Sequence, residues 1–494
     1  MASFGFAIDN RVCIGCHACT VACKSEHSVP IGVNRTWVKY IEKGAFPQTR
    51  RSFSVQRCNH CADAPCVEIC PVTSLYTRPD GIVDFDSDRC IGCKACMQAC
   101  PYDAIYIDPD SGTAAKCNYC THRVDRGIEP ACVVVCPVQA IVSGDLSDPD
   151  SPIAVLDRTQ RVQYPKPEKG TQPKLFYVGG ETAALNPDQA PPAADYLWSG
   201  SELPIGQGEL EAADREAQRA RRVYDQKPKP GPWGWMVSAY ITTKAVAAGI
   251  VMIAFARFLM GTAGGVLSPA EGLVALLFLA ITGVLLVADL QQPKRFLYVL
   301  LRPQWKSWLV RGAYIITAIV PLMILCTALS WFGFSRPALL AVGTPTVILA
   351  AFLAMYTAFL FAQAKGRDYW QNPLLAVSML VDALVLGYVA VWALSNQTPG
   401  RTGIAVSVAG LALLTIIEFL TAHQSGNAAR TAEIILRGRF AFLFWLGVVF
   451  LGLIVPAVLL FDPTRGALAA AGLVAGIVIR NHIVVQAPQQ IPLS

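Results

Sequence analysis

The chain is 494 residues long, 53% apolar and 15% charged, with a formal net charge of +6. Those figures exclude a single soluble domain, which at this length would carry more charge and less apolar surface. The imbalance is local: residues 1–230 have frequent charges, prolines and turn pairs such as Pro79-Asp80-Gly81, and the apolar excess begins near Ala239.

Sixteen of the seventeen cysteines lie in the first 136 residues, in four runs of four. They are Cys13-x2-Cys16-x2-Cys19-x3-Cys23, Cys58-x2-Cys61-x4-Cys66-x3-Cys70-Pro71, Cys90-x2-Cys93-x2-Cys96-x3-Cys100-Pro101, and Cys117-x2-Cys120-x11-Cys132-x3-Cys136-Pro137. The third matches the bacterial ferredoxin run residue for residue. Three thiolates on one tight loop reach three irons of a cubane. The fourth, three residues on and entering a helix, points elsewhere and in two-cluster ferredoxins serves the other cluster. Four runs therefore predict four [4Fe–4S] clusters held as two exchanged pairs. Gly15 and Gly92 let backbone approach sulfide, and Pro71, Pro101 and Pro137 end the local structure.

Zinc ribbons and disulfides are the competing readings. Zinc sites show two CxxC pairs separated by a longer stretch. Disulfide scaffolds belong to short secreted chains, and the start Met1-Ala2-Ser3-Phe4 has neither an apolar signal core nor a twin arginine. Cys326, alone in an apolar segment, reads as a packed small side chain. Between the runs, Gly81–Asp86 and Ala104–Asp108 alternate like short strands, and a helix near Cys93 carries Met97 and Ala99. With so little continuous core, the clusters are expected to act as folding cross-links.

Residues 145–180 read as a loop-rich extension with a strand at Pro173–Val178, and residues 186–204 as a Pro/Ala spacer. Glu209 to Asp225 is a charged helix candidate, either solvated or bound to a partner or membrane surface. Then come apolar stretches near 20 residues long, the length a helix needs to cross about 30 Å of hydrocarbon. Eight are expected: 239–260, 270–290, 311–331, 345–364, 373–394, 403–423, 440–461 and 466–485. Trp233, Trp235, Tyr240, Trp305, Trp308, Tyr369 and Trp370 gather near their ends, as in an interfacial belt. An even number puts both flanks on one side. Fifteen Lys and Arg between Arg219 and Arg439 fall on the side shared with the soluble half, against Arg336, Arg401 and Arg465 opposite. The positive-inside rule then places the soluble half in the cytoplasm.

Residues 1–180 resemble the four-cluster electron-transfer subunit of the molybdopterin oxidoreductases related to DMSO reductase, polysulfide reductase and formate dehydrogenase. Besides the cysteine runs, the opening Cys13-Ile-Gly-Cys-His-Ala-Cys-Thr-Val-Ala-Cys-Lys carries the likeness. Residues 233–486 resemble the NrfD-type quinone-reactive membrane subunit, through Asp289-Leu-Gln-Gln-Pro-Lys-Arg-Phe, Lys306-Ser-Trp and Trp370-Gln-Asn-Pro. The two are fused here. The resemblance implies an α+β ferredoxin-like domain of two pseudo-symmetric two-cluster units over 1–180. A linker with the charged helix would follow over 181–232, then an all-α eight-helix transmembrane domain over 233–494, in a prokaryotic plasma membrane. It also implies nested pairing, with one cluster on Cys13, Cys16, Cys19 and Cys136 and its partner on Cys117, Cys120, Cys132 and Cys23. The inner pair would take Cys58, Cys61, Cys66 with Cys100, and Cys90, Cys93, Cys96 with Cys70.

The implied function is electron relay between a separate molybdenum or tungsten bis-pterin subunit and the membrane quinone pool, with no nucleic acid as partner. The chain has no Rossmann fingerprint or P-loop, so substrate catalysis belongs on another chain. A redox-driven proton-translocating module of a larger respiratory complex is the alternative. A membrane b-haem needs two facing histidines; only His423 and His482 are candidates, there is no CxxCH, and no haem is expected. A quinone pocket at the cytoplasmic helix ends would draw on Lys244, Asp289 and Arg311, lined by Tyr240, Thr243, Ser307, Trp308, Gln363 and Tyr369. Lys244 and Asp289 could equally snorkel or bridge. Asp382 and Glu418 lie too deep to snorkel and form either a proton path or an inter-helix contact.

Overall fold

The computed structural model describes residues 2–44, 47–186, 189–190, 220–226, 229, 231–395, 400–421, 423–462 and 465–494. The chain forms two compact units, Met1–Pro230 with Pro492–Ser494, and Gly231–Ile491.

The first unit is built on short strands. β1 (Phe4–Asp9) lies at the centre of a four-stranded sheet, pairing parallel with β10 (Leu175–Val178) and antiparallel with β8 (Ile141–Asp145), and β9 (Val162–Gln163) flanks β10. Phe6, Ala7 and Ile8 are buried, as expected for a strand covered on both faces, Phe6 against Tyr119 and Ala7 against Ile153. The strand expected over Pro173–Val178 is thus β10. The extension before it is less loop-like than expected, because Ser151 accepts from the Ala154 N–H and Pro152 opens helix α6 (Pro152–Thr159). That helix buries Ile153 against Ala7, Phe176 and Val178.

A second sheet joins the hairpin β2 (Thr36–Lys43) and β3 (Arg50–Arg57) to β11 (Arg221–Tyr224) in the order β11-β2-β3. This corrects the charged-helix expectation: Arg221–Tyr224 is a strand with Arg222 opposite Ile41, and residues 209–219 lie outside the described residues. Tertiary pairing overrides the helical propensity there, since Arg221 reaches Glu42 across the strands and Arg222 binds Asp225 at 2.8 Å. Two further hairpins, β4 (Leu75–Thr77) with β5 (Val83–Phe85) and β6 (Tyr106–Ile107) with β7 (Ala114–Ala115), match the two strands expected around the third cysteine run. Helices α1 (Ala18–His27), α2 (Pro65–Ile69), α3 (Ala95–Ala99), α4 (Thr121–Val124) and α5 (Ala131–Val134) begin within or beside the runs.

The second unit is helical. Among the described residues, seven helices are long and apolar enough to cross a membrane: Trp235–Leu259, Pro269–Ala288, Trp308–Trp331, Arg336–Gln363, Leu374–Leu394, Arg401–Leu420 and Gly466–Gln490. The stretch expected as an eighth, 440–461, is helical from Ala441 to Leu459, but its middle, Leu443–Ile454, winds as a π-helix and the apolar helix is shorter. The fourth span starts at Arg336 rather than 345, because Pro337 opens it and Pro345 sits inside it, as Pro321 does in the third.

The first span is the central one: 72% of its apolar window is buried, against 22% for the third. Its closest neighbour is the fifth, where Gly249 and Gly387 meet backbone to backbone. A Cβ on Gly249 would overlap Ala383 O and stand 2.7 Å from the Gly387 nitrogen, the small-residue contact that lets membrane helices approach. Gly249→Val is therefore expected to destabilise this unit by about 3 kcal/mol or more. The check is thermal unfolding in detergent, and a variant melting within a degree or two of the parent would show that the helices part freely.

Candidate functional site

The cysteine loops repeat one backbone device. Gly15 and Gly92, two residues after the first cysteine of their runs, have φ of 69° and 68°, and His17 and Lys94 follow at 61° and 63°. Thr73, Asp103 and Gln139, each third after a run's last cysteine, take φ of 53°, 54° and 51°. These left-handed residues turn backbone N–H groups toward sulfur. Ala140 N–H donates to Cys136 Sγ at 3.2 Å, Cys100 accepts from Tyr102 and Ala104, and Cys70 from Val72, Ser74 and Leu75. The first run departs from the pattern: Lys24 stands where the others have proline, and α1 continues to His27.

The loops bring cysteines of different runs together. Cys58, Cys61, Cys66 and Cys100 line one cavity, and Cys13, Cys16, Cys19 and Cys136 line another. Cys23 lies in electrostatic reach of Cys117, Cys120 and Cys132, and Cys96 in reach of Cys90, Cys93 and Cys70. Among the described residues, no three His, Cys, Asp or Glu side chains close on a single-ion site. Zinc needs its sulfurs within about 2.3 Å of one ion, so these cavities, with cysteines spread around them, fit a larger polynuclear group. Burial, then the neighbouring sulfurs, pushes Cys61 up to about 12; burial alone leads at Cys117, also pushed to about 12. Metal must therefore displace protons to bind here, since only thiolate is a ligand.

Three basic side chains attend these sulfurs, none of them singled out by the sequence. Arg57, 1% exposed, donates from Nη1 to Cys132 Sγ at 3.0 Å. His27 Nε2 stands 3.1 Å from Cys120 Sγ, and burial, then Arg35, pushes its imidazole down to about 4, so it is neutral. Lys116 is fully buried with Nζ on the carbonyls of Val83 and Cys117. Position beside a cysteine was the one available signal for Arg57 and Lys116.

In the helical unit the expected site residues fall into three groups. Lys244 is fully buried, donating to Leu353 O at 3.2 Å, Ala354 O at 3.1 Å and Thr357 Oγ1 at 2.6 Å, with its ammonium 4.1 Å from the Tyr356 ring centroid. Burial at that depth excludes snorkelling. Tyr240, one turn earlier, lies against Tyr356 and Thr357 and within electrostatic reach of Asp289, the residue that closes the second span. Thr243 pairs with Thr282 at 2.8 Å. Ser307, Trp308 and Gln363 form the second group: Gln363 accepts the Trp308 N–H at 2.9 Å and donates to Lys306 O at 2.8 Å, tying the start of the third span to the end of the fourth. Arg311 is apart from Lys244, donating to Trp305 O at 2.9 Å and lying over the Trp308 ring.

The third group adds two side chains to the Asp382–Glu418 pair expected from the sequence. Arg480 donates to both oxygens of Asp382 at 3.2 Å and to Glu418 Oε2 at 3.2 Å, while the Tyr369 hydroxyl donates to Glu418 Oε1 at 2.6 Å. All four are buried. Asp382 and Glu418 thus meet through Arg480, and Tyr369, expected with the quinone pocket, belongs with them.

Residues 224–492 match the family model for polysulphide reductase, NrfD, and residues 12–75 and 49–146 match models of the 4Fe-4S dicluster domain. The iron–sulfur subunit of a putative dimethyl sulfoxide reductase of Halobacterium salinarum is 35% identical over 254 residues, 45% of this chain and 90% of that protein. The B component of tetrathionate reductase from Salmonella typhimurium is 42% identical over 201 residues, 40% of this chain and 79% of its own. The B component of polysulfide reductase from Wolinella succinogenes is 44% identical over 187 residues, 37% of this chain and 97% of its own. The chain is thus a multi-pass membrane protein of the NrfD polysulphide reductase family, carrying in the same polypeptide the 4Fe-4S dicluster domains of a reductase iron–sulfur subunit.

Proposed function

We propose that this protein relays electrons between a separate molybdopterin-type catalytic subunit and membrane quinone, through four [4Fe–4S] clusters in the nested arrangement given above. The observation that carries the proposal is the exchange of cysteines between runs: each group takes three from one run and one from another. Cys136 crosses to the first run, Cys100 to the second, Cys70 to the third and Cys23 to the fourth. A bound cluster accepts and passes single electrons; the protein fixes its thiolates and keeps water away. The relatives belong by name to tetrathionate, polysulfide and dimethyl sulfoxide reductases, which supports a catalytic partner outside this chain.

In this reading the helical unit spans the membrane eight times, Ala441–Leu459 completing the set, with the iron–sulfur domain in the cytoplasm. Quinone meets Tyr240 and Asp289. Lys244, its three N–H donors already engaged, holds Tyr356 and Thr357 against Tyr240, and Thr243, Ser307, Trp308, Gln363 and Arg311 fix the surrounding helix ends. The test is reduction of the purified protein by excess quinol, followed by low-temperature electron paramagnetic resonance. Reduced-cluster signals are expected to appear with quinol, and Tyr240→Phe to slow their appearance at least about tenfold, at the low end of general acid–base contributions. Clusters that respond to dithionite and never to quinol would reduce the protein to an anchor. The Asp382–Arg480–Glu418–Tyr369 chain favours the proton-translocating alternative as a second reading, separable by proton uptake during quinol turnover in liposomes.

A further inference from the structure

Arg57 ends strand β3, immediately before Cys58, yet its side chain leaves the inner cysteine groups for an outer one. Its guanidinium is in electrostatic reach of Cys23, Cys117, Cys120 and Cys132, and of Cys19 from the neighbouring group. Nη1 donates to Cys132 Sγ at 3.0 Å, and the guanidinium carbon lies 4.6 Å from the centroid of the Phe6 ring. Among the described residues, Nε and Nη2 are buried without a hydrogen-bond partner. No carboxylate is paired with it among the described ion pairs. A buried guanidinium with two orphaned donors is costly unless something anionic accepts from it. The side chains around it that can carry negative charge are Tyr177, whose hydroxyl donates to Val55 O, and cysteines, which are anionic as metal-bound thiolates.

We infer that Arg57 sets the redox poise of one cluster, the one held by Cys23, Cys117, Cys120 and Cys132, by placing a permanent positive charge and hydrogen bonds against its sulfurs. This rests on the four-cluster reading above. The reduction it favours adds one electron to the cluster, supplied by quinol or by the catalytic partner. It adds no proton to Arg57, which is charged in both states. Reduction makes the cluster more negative, so the fixed cation and its donors stabilise the reduced form more than the oxidised one. The inner groups are attended by lysines instead: Lys116 is in electrostatic reach of Cys66, Lys174 of Cys58 and Cys61, and Lys166 of Cys100, each with Nζ directed to backbone carbonyls rather than to sulfur.

The experiment is potentiometric titration of the full chain, followed by electron paramagnetic resonance, on the parent, Arg57→Gln and Arg57→Lys, with iron content measured on each. The relevant signal is identified as the one that Cys120→Ala removes. In Arg57→Gln with full iron, the reduced-to-oxidised ratio of that cluster at fixed potential is expected to fall about tenfold, a 59 mV drop for a one-electron couple, with the inner pair unmoved. Arg57→Lys, which keeps the charge, is expected to stay within about threefold of the parent. Fully loaded Arg57→Gln with an unchanged potential would overturn the inference. If Arg57→Gln loses iron, Arg57→Lys decides alone: retention within threefold supports the role and a larger fall overturns it. Fewer than four cluster signals in the parent would count against the four-cluster reading, and would leave the Arg57 result readable at its own cluster.

Discussion

Cys100→Ala is expected to cost the protein one cluster, about four irons per chain, and adding Cys58→Ala to cost nothing further. Adding Cys90→Ala instead is expected to remove a second cluster, although Cys90 and Cys100 lie in one run and Cys58 in another. The reason is spatial: Cys58, Cys61, Cys66 and Cys100 line one cavity, while Cys90 and Cys70 lie with Cys96. Residues acting as a unit show non-additive losses, and residues in separate units add. Iron and acid-labile sulfide analysis of the three proteins reads the result. If Cys58→Ala and Cys100→Ala each removed a cluster independently, clusters would be confined to single runs and the exchanged pairing would fail.

The second large effect concerns the buried charges of the helical unit. Arg480→Leu leaves Asp382 and Glu418 buried without the guanidinium that both accept from, a change that costs about 3–5 kcal/mol. Loss of most of the folded protein from the membrane is expected, measured by detergent-extracted yield and size-exclusion profile. The combined Arg480→Leu, Asp382→Leu and Glu418→Leu protein is expected to recover yield, because replacing a whole buried ionic group by apolar side chains is often close to neutral. Asp382→Asn separates stability from proton transfer. It keeps shape and a hydrogen bond to Arg480, so normal yield with unchanged quinol turnover and proton release would remove the proton path and leave a structural contact.

How much of this was legible in the sequence differs between the two units. The cysteine spacing is local chemistry and announces its own loops, so the runs, the strands around the third run and β10 were readable. The strand at Arg221–Tyr224 was not, because its partner Ile41 lies about 180 residues earlier and its own composition favours a helix. The span boundaries followed hydropathy, except where Pro337 and Pro345 made the fourth helix start early and where Leu443–Ile454 wound as a π-helix. At the helical site Asp382 and Glu418 were visible as a pair, but the side chains that join them were not. Hydropathy records depth and says nothing of the face on which a residue sits, so Arg480 could not be joined to Asp382 and Glu418, nor Tyr369 moved to them.

The pairing of β1 with β8 and β10 carries a consequence for biogenesis. β1 finds its neighbours only at Ile141–Asp145 and Leu175–Val178, so the central sheet cannot close until all sixteen run cysteines have left the ribosome. A polypeptide emerging N-terminus first at some 5–20 residues per second presents its loops for several seconds with its non-local closure still ahead. Iron–sulfur delivery therefore has a window set by synthesis, and slowing translation after residue 136 should lengthen it.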